Sequence, residues 1–82
     1  MEDTVFVSGL PKSTTEEQLA EFFGAIGVIK IDRRKNGPKI WMYKGADGEP
    51  KGEATVTFDD QHTAKSAIYW FNGKDFHGSE IK

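Results

Sequence analysis

The sequence predicts an α+β fold in which two helices cover one face of a four-stranded antiparallel sheet. Three observations predict it. Two stretches carry apolar residues at helical spacing: Leu19, Phe22, Phe23 and Ile26 in one, and Ala64, Ala67, Ile68 and Phe71 in the other. Around them lie segments that alternate from residue to residue and are rich in β-branched and aromatic side chains. Glycine, proline, asparagine and aspartate gather at the junctions, where turns need them. The resulting order, β-α-β-β-α-β, is the split arrangement of the ferredoxin-like sandwich.

Each element has its own signal. "TVFVSGL", residues 4–10, reads as a strand that ends in a Gly-Leu-Pro loop. The first helix follows, with Thr15 as N-cap, Gln18 as its capping-box partner, Glu16 and Glu17 in the first turn and Gly27 as the stop. "VIKIDRRKNGPKIWMYK" reads as an extended arm with a basic turn at residues 33–38, leading into a strand at 39–43. "GADGEP" has turn chemistry throughout, which makes "KGEATVTF" the returning strand of a hairpin. The second helix ends at Asn72-Gly73, and "KDFHGSEIK" is a final extended segment. Its strand is a stub at residues 80–82, short enough to leave a core edge uncovered and to invite pairing with another chain.

With 82 residues the chain is expected to form one domain, residues 1–82. The absence of cysteine excludes disulfides and thiolate-held zinc, and His62 and His77 are too few for a metal site, so no metal or cofactor is expected. No apolar run approaches the roughly 18 residues of a membrane span and no signal peptide is legible, so an intracellular protein without a membrane partner is expected. The net charge of −2 argues against a strongly electrostatic nucleic-acid binder. Its distribution is more telling. Seven basic residues between Lys30 and Lys51 face three acidic ones, a local excess of +4 that leaves −6 on the rest of the chain. A solvated loop that happens to be basic is the plain alternative.

The pleat sorts the strand residues by face. With Val5, Val7, Ile40, Met42, Ala54, Val56 and Phe58 toward the helices, the bare face receives Phe6, Ser8, Trp41, Tyr43, Lys51, Glu53, Thr55 and Thr57. Three large rings on an uncovered sheet face invite a ligand.

Over essentially its whole length the chain resembles an RNA-recognition motif. The octamer signature of that motif is K/R-G-F/Y-G/A-F-V-x-F/Y. "KGEATVTF" matches at Lys51, Gly52, Ala54, Val56 and Phe58 and departs at Glu53 and Thr55, where the stacking aromatics stand. "VFVSGL" is similar to the companion hexamer, with Phe6 at its stacking position. "GAIGVIK", the basic arm, "KGEATVTFDD" and "AIYWFNGKDFHG" look more specifically like the FUS/EWS (FET) family, whose octamer normally carries Glu and Thr at these two places. That resemblance implies a lysine-rich loop that contacts nucleic acid, matched here by Lys30, Arg33, Arg34 and Lys35. It also implies a contact at Tyr43, and a nuclear role in transcription and RNA processing.

The expected function is binding of single-stranded RNA, or single-stranded DNA, with modest affinity and weak sequence preference. Phe6 stacks on a base, Trp41 and Tyr43 extend the platform, and the arm pairs with phosphates. Lys51, Glu53 and Thr55 complete the site, Glu53 as an acceptor for an exocyclic amine. For Trp41 the plain alternative is packing over the arm or against a neighbouring chain. A monomer is expected unless the short last strand pairs. The competing function is a protein-interaction module that has lost RNA, which the missing aromatics and net acidity favour. Catalysis is not expected. The loop after the first strand carries a lone Lys12 and no arginine, unlike the phosphate-cradling loop of acylphosphatases, and no Ser/His/acid or Cys/His set is legible.

Overall fold

The computed structural model describes residues 2–82. Its elements run β1 (Thr4–Val7), α1 (Glu16–Gly24), β2 (Ile31–Asp32), β3 (Gly37–Pro38), β4 (Ile40–Lys44), β5 (Pro50–Thr57), α2 (Gln61–Phe71), β6 (Asp75–Phe76) and β7 (Ser79–Glu80). Both helices lie on one face of an antiparallel sheet, the ferredoxin-like arrangement expected. The sheet has the order β1-β5-β4.

The fourth strand differs from expectation. Residues 79–80 pair back on Asp75–Phe76 as a small hairpin, turned by His77 at φ 49° and Gly78 at φ 91°. Only Lys82 pairs with the first strand's continuation, exchanging both backbone hydrogen bonds at 3.0 Å with Ser8, the residue just past β1. The fourth place in the sheet is thus held by one residue pair. The core edge there is nevertheless covered, because Phe76 and Ile81 are both buried.

The helices form where the local chemistry places them. Thr15 and Gln18 make the full capping box at the start of α1, and Asp60 caps α2 by accepting from the His62 amide. α1 stops at Gly24, earlier than Gly27 suggested. Gly27 serves packing instead: a Cβ there would lie 2.3 Å from Thr63 Cγ2 on α2, so the connection lies directly against that side chain. α2 buries Ala64, Ala67 and Phe71, whereas Ile68, expected in the same stripe, is 51% exposed. The small alanines define the line of closest approach to β1, and Ile68 falls on its flank.

The core lies between helices and sheet. Leu19, Phe23, Val5, Val7, Ala54, Val56, Phe58 and Phe71 are all buried in it, with Phe23 edge-on to both Phe58 and Phe71. These are the inward positions of the predicted alternation. Burying a Val, Leu or Phe side chain contributes about 1.5–3 kcal/mol, so the strand registers are held by the core that they close.

Candidate nucleic-acid interface

The octamer strand sets the geometry of the open face. β5 pairs regularly with β4 through Ile40↔Val56, Trp41↔Thr55 and Met42↔Ala54, then slips, so that Lys44 faces Pro50. Gly52 sits in the slip at φ 75°. Its carbonyl accepts the Leu10 amide at 3.0 Å, and a Cβ at this position would stand 2.5 Å from the Leu10 carbonyl oxygen. The bulge therefore requires glycine on two counts, backbone conformation and space. It docks the loop after β1 and leaves Lys51 and Glu53 side by side, Nζ to Oε1 3.5 Å.

Phe6, Thr55 and Trp41 form one row across the three strands. Phe6 is 53% exposed, Trp41 66% and Tyr43 37%. Phe6 and Tyr43 meet above β5, their ring centroids 6.0 Å apart and tilted by 54°. Trp41 has no ring partner among the described residues, so its indole is an open face. Thr57, expected to face outward, does so but is buried, because its hydroxyl pairs with that of Thr4 at 2.9 Å.

The arm is a hairpin. β2 and β3 pair through Ile31↔Pro38 and Asp32↔Gly37, Asp32 accepts the Arg34 amide at 3.0 Å, and Asn36 takes the left-handed conformation that closes the turn. Its cations have different fates. Arg33 and Arg34 are exposed, with no side-chain partner among the described residues. Lys30 stands 3.9 Å from Asp3. Lys35 is engaged with the Glu16 carboxylate on α1 and donates to the Ile40 carbonyl at 2.9 Å.

A groove of about 960 Å³ joins the two halves of the site, running from Trp41, Tyr43 and Thr55 on the sheet to Asp32 and Lys35 of the arm. Lys39 and Lys44 also line it, and neither stood among the predicted site residues. A signal for Lys39 was available: it shares the outward parity of Trp41 and Tyr43. The structure thus brings together Phe6, Tyr43, Trp41, Thr55, Lys51 and Glu53 on one face and sets the arm beside them, with Lys35 already bonded within the domain.

Among the described residues there is no group of histidine, cysteine and acidic side chains able to hold a metal ion, and no helix is long and apolar enough to cross a membrane. What the site offers is a set of rings, an acceptor and basic side chains.

Comparisons with known proteins agree with this geometry. The chain is 58% identical over 82 residues to the RNA-binding protein cabeza of Drosophila melanogaster, covering 99% of this chain and 21% of that protein. It is 52% identical over 79 residues to transcription initiation factor TFIID subunit 15 of Arabidopsis thaliana, covering 95% of this chain and 21% of that protein. The chain therefore spans about a fifth of the length of these relatives. Among solved structures, the Glorund qRRM2 domain superposes with a TM-score of 0.80 at 32% identity, covering 96% of this chain and 82% of that one. The third such domain of Gbp2 superposes with a TM-score of 0.81 at 25% identity, covering 96% and 70%. The RNA recognition motif family itself matches residues 5–82. With the sheet, the two helices and the octamer bulge in place, the chain belongs to the RNA recognition motif family.

Proposed function

We propose that residues 1–82 act as one domain that binds single-stranded RNA, and secondarily single-stranded DNA, by contact alone and without catalysis. The observation that carries the proposal is the convergence of exposed rings and free cations: Phe6, Tyr43 and Trp41 stand on an open sheet face whose groove leads to the arginine-bearing arm. Bases stack on the rings, a sequence-tolerant contact because every base has a π-face. Arg33 and Arg34 pair with phosphates, which makes affinity modest and salt-dependent. Glu53 and Thr55 supply acceptors where many such sheets carry rings, and Lys51 balances the carboxylate.

The Glu and Thr of the octamer and the long basic arm further support placing the chain in the FUS/EWS (FET) group. A nuclear role in transcription or RNA processing is part of the same reading. It is supported by the names of its relatives, an RNA-binding protein, a transcription initiation factor and, at 34% identity, cleavage stimulation factor subunit 2 of Homo sapiens.

The test is a titration with short single-stranded RNA followed by NMR amide shifts at two salt concentrations. Shifts are expected at Phe6, Tyr43, Trp41 and residues 30–35, weakening as salt rises. Shifts confined to the helices would instead favour a protein-interaction module. One observation supports that second reading: Ile68, Tyr69 and Trp70 are exposed on α2, Tyr69 to 91%.

A further inference from the structure

We propose that Lys35 is a positioning residue and not a phosphate contact. Its ammonium, shared between the Glu16 carboxylate and the Ile40 carbonyl, clips the β2–β3 hairpin to the edge of the sheet and holds Arg33 and Arg34 beside the groove. The proposal rests on the binding function above for its consequence, though not for its geometry.

The hairpin needs such a clip. It has two residue pairs, and an isolated two-stranded ribbon is marginal at best in water. It has no fully buried apolar anchor, since Ile31 is exposed and Pro38 opposite it is half-buried. Below those pairs the Lys39 amide donates to the Lys30 carbonyl at 2.8 Å across the hairpin. The base is tied to the sheet at Thr57, which accepts the Lys30 amide at 2.9 Å and donates its own amide to the Lys39 carbonyl at 3.1 Å. At the turn, residues 33–36, the Lys35 side chain makes the only hydrogen bonds to the body of the domain among the described residues.

The place of attachment also follows from the sheet. β4 is an edge strand, so its outward backbone groups lack a strand partner. Lys39 turns its carbonyl to Thr57 on β5, and the alternation of an antiparallel ladder turns the Ile40 carbonyl away from β5. An ammonium has three donors and no acceptor. It can therefore satisfy the orphan carbonyl and the Glu16 carboxylate together. Glu16 is in the first turn of α1, so three elements meet at one nitrogen.

The consequence is a reversal of sign. Glu16 lines the groove, and by simple electrostatics removing its charge should strengthen phosphate binding. If Glu16 holds the clip, removing it should weaken binding, because part of the population then lacks the ordered arm and the apparent affinity falls by that fraction.

The experiment compares Lys35→Met, Lys35→Arg, Glu16→Gln and Glu17→Gln. The last removes a neighbouring charge from the same helical turn without touching the clip. Two readouts are taken: backbone order of residues 31–38 from heteronuclear NOEs, and the salt dependence of affinity for a short single-stranded RNA. Lys35→Met and Glu16→Gln should both lower arm order and weaken RNA binding about three- to tenfold, with the salt slope unchanged. Lys35→Arg should retain order, and Glu17→Gln should not weaken binding. A Lys35→Met variant with an ordered arm, or with a salt slope reduced by about 0.7, overturns the proposal. So does a Glu16→Gln variant that binds RNA more tightly. Should the parent domain fail to bind RNA, the NOE comparison still decides the clip, so the two ideas fail separately.

Discussion

Phe6 and Tyr43 belong to strands that do not pair, yet their ring centroids are 6.0 Å apart. They meet because the strand between them presents Thr55 and Glu53 at the places where the family signature carries rings. Two small or flexible side chains leave a trough over β5, and the flanking rings lean into it. The open face is thus a two-ring platform with Trp41 as an outlying third surface.

Removing either ring should weaken RNA binding without unfolding the domain. For Phe6→Ala the expected loss is about 5- to 150-fold, the range that one base stacked on one ring supplies. Tyr43→Ala should lose less, since its ring is the more covered of the two. Fluorescence anisotropy with a short oligonucleotide measures the loss, and thermal melting should stay close to the parent's.

Filling the trough should do the opposite. Thr55→Phe places a ring in the row between Phe6 and Trp41 and gives a base a third stacking surface. Affinity is expected to rise, by about fivefold or more if the added stack contributes roughly 1 kcal/mol. Unchanged or weaker binding would mean that the contact between Phe6 and Tyr43 is itself the platform, and that a ring wedged between them spoils it.

Arg33 and Arg34 should show themselves through salt. Each phosphate contact on a single strand contributes about 0.7 to the slope of log affinity against log salt. The double variant Arg33→Ala/Arg34→Ala should therefore flatten the slope by about 1.4. An unaltered slope would remove the arm from the interface.

Gly52→Ala tests the bulge. The substitution forces a Cβ onto a left-handed backbone and to within 2.5 Å of the Leu10 carbonyl oxygen. The expected cost is about 1–3 kcal/mol, a fall in melting temperature on the order of 5–20 °C. Gly48→Ala is the comparison, because Gly48 has φ 80° with nothing within 4 Å. It carries the conformational penalty alone, about 1–2 kcal/mol, and should melt above Gly52→Ala.

Much of this was legible before any coordinates. The period of two placed Phe6, Trp41 and Tyr43 on the open face and Val5, Ala54 and Val56 in the core, and the structure agrees. Thr15 and Gln18 announced their capping box. These are local signals, read within one strand or one helical turn. Others misled. Ile68 keeps helical spacing with Ala64 but lies beside the contact line, which depends on how α2 tilts over β1. The final segment reads as an extended run with a stub strand at 80–82, but left-handed His77 turns it into a hairpin before Lys82 reaches Ser8.

By itself, then, the sequence determined the two helices, the three strands of the sheet, the faces of those strands and the open face of "KGEATVTF", because periodicity and caps act between near neighbours. Only the tertiary structure decided how the cations divide. Arg33, Arg34 and Lys35 are adjacent and alike in charge, and nothing in that run distinguishes them. Folding brings the start of α1 and the edge of β4 to Lys35 and leaves the two arginines without side-chain partners among the described residues. Which cation is held and which is free depends on contacts between distant segments, and those exist only once the sheet is closed.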